Sequence, residues 1–456
     1  MEQLWNNEGE NFIEICGRVC ISEKRARHGM MSIRITFSGA VSKKEEIMDV
    51  LWDLCMNDKN DLYVNGDYCE VRVCPLGTIN LNFIESVGKC ELDGWSITSL
   101  VGAGFHKYVV EFLDEFQWET GVNLFIQDDT EYMYKRDFNQ LRKEHFYPWL
   151  VNLVSLCVDY KQQNYTALNI CWDSTQYQPS PVDGYVVSPF GRFNIDELAE
   201  RIGQGDVESF AYEFYLWNDK KRNAIYYRNC ALHRMWEHCY YMPSSRSETD
   251  KQVNGQILDD LERCLKMDCS LPFPTRDYQV LCRLDHREAV DVSDVVPLLT
   301  STPIGYRKGW VKISFGNLEV SMPGNFLHEY EDDKNDLWYD GAENWKNMRL
   351  QGYHMNNGKA DFVGPVFTDV NTYVEEMVCG EARLRYVFDE HVEEGEPFYQ
   401  AVAQIVCESD LYLMSLCYRQ KEDDHWATEV FRRLKGVKKR QFIDDEISDS
   451  TTEIYS

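Results

Sequence analysis

At 456 residues the chain exceeds the roughly 250–300 residues that one hydrophobic core usually serves, so two to four domains are expected. Its 47 basic and 76 acidic side chains leave a net charge of −29, a surface that repels phosphate backbones and excludes nucleic acid as a partner. No run reaches the roughly 18 apolar residues of a membrane helix, because Asn152 and Ser155 interrupt the stretch from Leu150 to Val158.

In chain order, Ile33, Ile35 and Phe37 alternate with polar residues, the period of a half-buried strand. Ser42-Lys-Lys-Glu45 has capping-box spacing, and Ile47, Val50, Leu51 and Leu54 then share one helical stripe. Ile79, Leu81 and Phe83 predict another strand. After Gly102-Ala-Gly104, the residues Tyr108, Val109, Phe112, Leu113 and Phe116 predict a helix to Trp118. A long helix is expected over 136–160 and a strand over 167–172. The Pro- and Gly-punctuated stretch from Gln178 to Pro189 marks a boundary. Helices follow: Asn194 caps one, Asp206 another running to Trp217, and further helices are expected over 222–241 and 247–267.

Beyond Gly309 strands return, with hairpin turns at Gly316-Asn317 and Asp340-Gly341. A helix is expected over 369–379, then elements over 382–388, 398–408 and 411–419, and a last helix over 424–434. The tail, with Lys438-Lys-Arg440 and Asp444-Asp-Glu446, reads as disordered. These elements predict an α+β, multi-domain protein: an N-terminal α/β sheet domain over 1–180, a helical layer over 190–290 packed on it, a C-terminal α/β sandwich over 303–436 and an acidic tail over 437–456. Residues 311–456 hold 15 basic and 29 acidic side chains and are the most acidic part.

Three resemblances accompany this reading. The turn from Leu261 to Pro272-Phe-Pro274 resembles the second helix and closing proline turn of a tetratricopeptide unit, without a repeat to extend it. Pro323-Gly-Asn-Phe326, with the order of strands around it, resembles the opening hairpin of PsbP/DcrB-type sandwiches. Gly104-Phe-His106, Ile170-Cys-Trp172, Tyr226-Tyr-Arg-Asn229 with Met235-Trp236, and Met242-Pro-Ser-Ser-Arg246 make residues 92–287 similar to an uncharacterised bacterial family. That likeness implies interaction or immunity proteins of toxin systems.

Sixteen cysteines are spread singly from Cys16 to Cys417, and the near pairs Cys16/Cys20, Cys69/Cys74 and Cys264/Cys269 lack two-residue metal spacing. Small buried hydrophobes in a reducing compartment are expected. The opening MEQLWNNEGENF lacks a basic segment followed by an apolar one, and a cytoplasmic location is expected.

The chemistry-bearing candidates each have a plainer reading. His233-Arg-Met-Trp-Glu-His238 places four residues between its histidines, one more than a zinc-binding helix uses. Gly102-Ala-Gly104 either presents amides to an anion or makes a tight turn, the better reading. His106 is a ligand, a base or a core histidine. Asp128-Asp129 with Glu131, and Glu331-Asp-Asp333 with Asp336, lack the glycine and closing glutamate of calcium loops and read as solvated. Tyr226 to Tyr241 is the densest aromatic patch, part core and part candidate binding surface.

The expected function is an intracellular binding protein that captures a basic protein partner, in the manner of an immunity protein neutralising a toxin. The alternative is an enzyme or small-ligand binder with a pocket between the N-terminal sheet and helical layer; whether it is an enzyme stays open, with a non-enzyme favoured. His106, Trp172, Arg228, His233, Trp236, Tyr240 and Tyr241 are the candidate binding residues, with no catalytic set, metal site or cofactor expected.

Overall fold

The computed structural model describes residues 13–15, 19–21, 32–41, 43–86, 89–162, 168–170, 178–179, 182–237, 243–245, 247–298, 306–307, 309–330, 335–340, 345–355, 358–364, 375–393 and 395–436. The fold is α+β with several antiparallel sheets, in two compact units. The first comprises Met1–Val311 with Pro323–Asn325, and the second Lys312–Met322 with Phe326–Ser456.

The first unit opens with the hairpin β1 (Ile13–Ile15) and β2 (Val19–Ile21). Then follow β3 (Arg34–Val41), α1 (Lys44–Asp58), β4 (Asp61–Asn65), β5 (Tyr68–Cys74), β6 (Gly77–Ser86), β7 (Lys89–Ile97), α2 (Ala103–Thr120) and β8 (Phe125–Asp128). The six strands form one sheet in the order β4-β5-β6-β7-β3-β8, every neighbour antiparallel. Alternation buries Ile35 and Phe37 of β3, Cys69 and Val71 of β5, and Ile79, Leu81 and Phe83 of β6. Ile47, Leu51 and Leu54 of α1 and Val109, Phe112, Leu113 and Phe116 of α2 join them in one core. Each such side chain contributes about 1.5–3 kcal/mol by leaving water. Helix α1 starts one residue after Lys43, which makes no side-chain cap; Ser42 lies outside the described residues.

A short helix α3 (Tyr132–Lys135) precedes the expected helix over 136–160, which is a composite of α4 (Phe138–Gln140), a π-helical segment over Leu141–Phe146, and α5 (Tyr147–Gln162). Pro148 is the reason. It has no N–H to donate and its ring crowds the carbonyl four residues back, so the chain widens just before it. Tyr215 then donates its hydroxyl proton to the Phe146 carbonyl at 2.9 Å.

Strands β9 (Leu168–Asn169), β10 (Gln178–Pro179), β11 (Tyr185–Ser188) and β12 (Gly191–Asn194) lead into a helical run. It consists of α6 (Ile195–Gly203), α7 (Val207–Phe214), α8 (Ala224–Glu237), α9 (Glu248–Met267) and α10 (Thr275–Leu284). Asn194 caps α6 through Asp196 and Glu197, and Ser247 with Asp250 forms a capping box on α9. Helix α8 begins later than expected because the Asn223 side chain accepts the Tyr226 N–H and closes its first turn. The Pro272-Phe-Pro274 turn is followed by α10, which sequence reasoning missed; proline preceding a helix starts it.

The hairpin β13 (Trp310–Phe315) and β14 (Leu318–Pro323), turning at Gly316 with φ 59°, lies in the second unit except for its outer ends, Trp310, Val311 and Pro323. A seven-stranded antiparallel sheet follows, in the order β15 (Leu327–Tyr330), β16 (Asp336–Tyr339), β17 (Asn347–His354), β21 (Asp410–Tyr418), β20 (Glu396–Cys407), β19 (Ala382–Glu393) and β18 (Glu375–Cys379). Helix α11 (Asp424–Arg433) buries Ala427, Val430 and Phe431, with Phe431 against Tyr386, and β22 (Lys435–Gly436) pairs with β14. The helix expected over 369–379 is corrected where it is described: Glu375–Cys379 is β18, held by its ladder to β19. Cross-strand pairing overrides local propensity there. The Asp340-Gly341 turn falls partly, and the tail from 437 wholly, outside the described residues.

A close approach fixes where α2 begins. Trp217 donates its N–H to the Val101 carbonyl at 2.9 Å and accepts from Gly104 N–H at 3.0 Å. A Cβ on Gly104 would lie 2.1 Å from the Trp217 ring and 2.3 Å from the Asp219 carbonyl. Helix propensity alone favours alanine over glycine by up to about 1 kcal/mol. Gly104→Ala is nevertheless expected to destabilise the protein by about 1–3 kcal/mol through overpacking. Chemical denaturation measures it; an unchanged or raised midpoint would contradict the close approach.

Candidate protein-interaction face

His106 lies on the inner face of α2 and is fully enclosed. Its Nδ1 is 2.9 Å from the Thr98 hydroxyl, and its Nε2 is 3.0 Å from the Thr130 hydroxyl and 3.1 Å from Asp128 Oδ1. A carboxylate oxygen only accepts, so Nε2 carries a proton. Phe146 and Tyr132 meet the ring edge-on. Asp128, expected in a solvated loop, has a side chain with no exposure. It accepts from the Thr130 N–H, the Thr130 hydroxyl and the Met133 N–H, each at 2.8 Å. Burial by itself raises the Asp128 pKa, but the hydrogen bond and charge of His106, with those backbone N–H groups, hold it well below the usual carboxylate range. The pair is a polar lock between α2 and the edge strand β8. One signal in the sequence pointed to it: a histidine on an apolar helical stripe must find an acceptor, and Asp128 closes the next strand.

The other candidates divide. Arg228 is half-buried on α8, donating to Asn229 Oδ1 at 3.3 Å and to the Pro272 carbonyl at 3.3 Å, and burial lowers its pKa. His233 is buried near Phe190, and Trp236 is buried in α8. Trp172, Tyr240 and Tyr241 lie outside the described residues, as does His238. The anion reading of Gly102-Ala-Gly104 is displaced, since the Gly104 N–H is taken by Trp217. Among the described residues no three of His, Cys, Asp and Glu come together as metal ligands. Twelve described cysteines are free, all buried except Cys269. An open cavity of about 310 Å³ on α9 is lined by Asp259, Glu262, Arg263 and Lys266, one turn-spaced charged face.

What solvent meets on α1 and α2 was not singled out from sequence. Glu45, Asp49, Trp52, Asp53 and Met56 recur at helical spacing on α1 and are all exposed, Trp52 at 48% and Met56 at 72%. On α2 the outward stripe is Glu111, Asp114, Glu115, Trp118 and Glu119, with Trp118 84% exposed. The helices are neighbours: Tyr108 of α2 donates to Asp58 at 2.5 Å and accepts from Asn60 at 2.7 Å. Their two lysines are engaged, Lys44 with Asp67 and the Gly66 carbonyl, Lys107 with Glu111. Arg136 pairs with Asp114 at 2.9 Å. Among the described residues Glu45, Asp49, Asp53, Glu115 and Glu119 have no ion pair, so their charge projects into solvent. The arrangement is large apolar side chains set among uncompensated carboxylates.

No family model and no curated protein matches the chain. Solved structures with local likeness include a protein of Bacteroides thetaiotaomicron, at 17% identity and TM-score 0.25 over 29% of this chain. Another is cyanobacterial PsbP from Synechocystis, at 10% identity and TM-score 0.17 over 28% of this chain and 93% of its own. The match spans half the length of the Bacteroides protein. Neither likeness carries a residue's role to this chain. Among the described residues no helix is long and apolar enough to cross a membrane.

The lock has a pH signature. A carboxyl with a depressed folded pKa stabilises the fold above its unfolded value, about 3.9, and that stability is lost as pH falls towards the folded value. Asp128→Ala is expected to cost about 3–5 kcal/mol at pH 7, the scale for breaking a buried pair. The gap from wild type should narrow below about pH 4. Urea unfolding across pH checks this, and a loss under 1 kcal/mol or a gap independent of pH would contradict it.

Proposed function

We propose that the protein is a binding protein whose α1–α2 face captures a basic protein partner, in the cytoplasm and in the manner of an immunity protein that neutralises a toxin. The observation that carries the reading is the unpaired carboxylates of Glu45, Asp49, Asp53, Glu115 and Glu119 around the exposed Trp52, Met56 and Trp118. Carboxylates steer a positive partner and raise its association rate, while tryptophans supply the short-range energy once contact is made. The net charge of −29 extends the same bias over the whole chain.

The alternative is an enzyme or small-ligand binder with a pocket between the N-terminal sheet and the helical layer, using His106, Trp172, Arg228 and His233. Of these, His106 has both ring nitrogens engaged inside the core. The membership of a toxin-immunity family stays part of the proposal.

Captured from its native lysate at about 50 mM salt, a basic partner is expected to be retained by wild type and released near 0.5 M salt, where screening shortens the reach of charge to a few ångströms. Trp52→Ala and Trp118→Ala should each weaken the complex by about 30-fold, roughly 2 kcal/mol, if they act as anchors. Retention indifferent to both salt and these substitutions sinks the reading. The immunity part fails separately if coexpression never relieves the toxicity of a neighbouring gene product.

A further inference from the structure

Arg222, in the loop before α8, has an unusual environment for a guanidinium. Its central carbon lies 5.1 Å from the Trp217 ring centre, 5.4 Å from Tyr108 and 5.6 Å from Tyr226. The rings support one another, Trp217 with Tyr226 at 4.9 Å and with Tyr108 at 5.8 Å. Its Nε and Nη2 are buried without a hydrogen-bond partner, and among the described residues no carboxylate pairs with it. Burying a charge away from water normally requires an anion or acceptors. Here the burial is offset by the faces of three rings, whose negative quadrupoles attract cations. The walls come from three separate elements, α2, the loop ahead of Arg222, and α8. Their geometry therefore does not depend on the guanidinium's own segment alone. Arg222 itself is only half-buried, so the enclosure opens to the surface.

We propose that Tyr108, Trp217 and Tyr226 form a binding site for an organic cation of the guanidinium or alkylammonium class, occupied in this chain by Arg222. The plainer possibility is that Arg222 is an ordinary packing residue whose removal leaves a collapsed or nonselective gap. The two differ in what happens once the side chain is shortened. A cation site keeps its selectivity for charge, whereas a gap takes any molecule of matching shape. This inference is independent of the acidic-face reading, because none of the three rings belongs to the outward stripes of α1 and α2.

The test is calorimetric titration of Arg222→Ala with methylguanidinium and with methylurea, its neutral near-isostere. R222A is expected to bind methylguanidinium at least tenfold more tightly than wild type does, with no binding of methylurea. Adding Trp217→Leu to R222A should abolish the gain. Equal binding by wild type and R222A, or equal binding of the neutral compound, overturns the proposal. Should R222A fail to fold, the wild-type protein carries the test by NMR. The Arg222 Hε resonance is then expected upfield of ordinary arginine, shifted by the ring currents, and an ordinary position overturns it.

Discussion

Helix α2 is held in one rotational setting, and the exposed chemistry of the first unit follows from that constraint. At its start, Gly102 and Gly104 let the Trp217 backbone run against it, with N–H and carbonyl exchanged in both directions. One turn later His106 reaches Asp128 and two threonines. An amphipathic helix without such fixtures settles by apolar burial alone, which tolerates some rotation. Here the buried His106–Asp128 hydrogen bond and close packing define which residues face inward, and so fix Glu111, Glu115 and Trp118 outward. Helix α1 takes its place beside it through the Tyr108 hydroxyl, which bridges to Asp58 and Asn60.

As in the first unit, part of the charge in the second unit is paired. There Asp336 meets His328, Asp410 meets His354, Asp361 meets Arg383, and Glu396 meets Arg419. Asp410 is the most enclosed of these acids, accepting also from Asn317 at 2.6 Å. The arginine pairs of Asp361 and Glu396 are exposed and add little stability, but each guanidinium offsets the field its carboxylate would project. Acid count is therefore a poor guide to where negative potential appears. Residues 311–456 are richer in acids by sequence, and Glu390, Glu408 and Glu422 there also have no ion pair among the described residues; what distinguishes α1 and α2 is the exposed Trp52, Met56 and Trp118 on the same helices as their carboxylates.

Much of the architecture was legible from residue patterns. The Ile33-Ile35-Phe37 alternation, the Ser247 start of α9 and the Gly316 turn each express a local rule that tertiary structure did not override. The failures are equally physical. Pro148 sits inside an otherwise helical apolar pattern and was passed over, although its missing N–H remodels the preceding turn. Residues 375–379 are a strand because of β19, a partner that local propensity does not see. For the site, attention to histidines and the 226–241 aromatics selected side chains that, where described, are buried or half-buried in packing, as aromatic density on a helix usually implies. Trp52, Met56 and Trp118 were missed for the converse reason. Each lies on a helix with an apolar inner stripe, near Leu51, Cys55 or Phe116, and exposure of a tryptophan becomes visible only when that stripe is fixed.

The central claim is that carboxylates on α1 and α2 form a coherent negative face, and a measurement without any partner tests it most directly. Amide relaxation enhancement by a cationic nitroxide, divided by that from a neutral one, maps surface potential residue by residue. The account predicts the highest ratios along Lys44–Asp58 and Ala103–Thr120, collapsing at high salt. A ratio uniform over the molecule, or one peaking in the second unit's sheet, would contradict it.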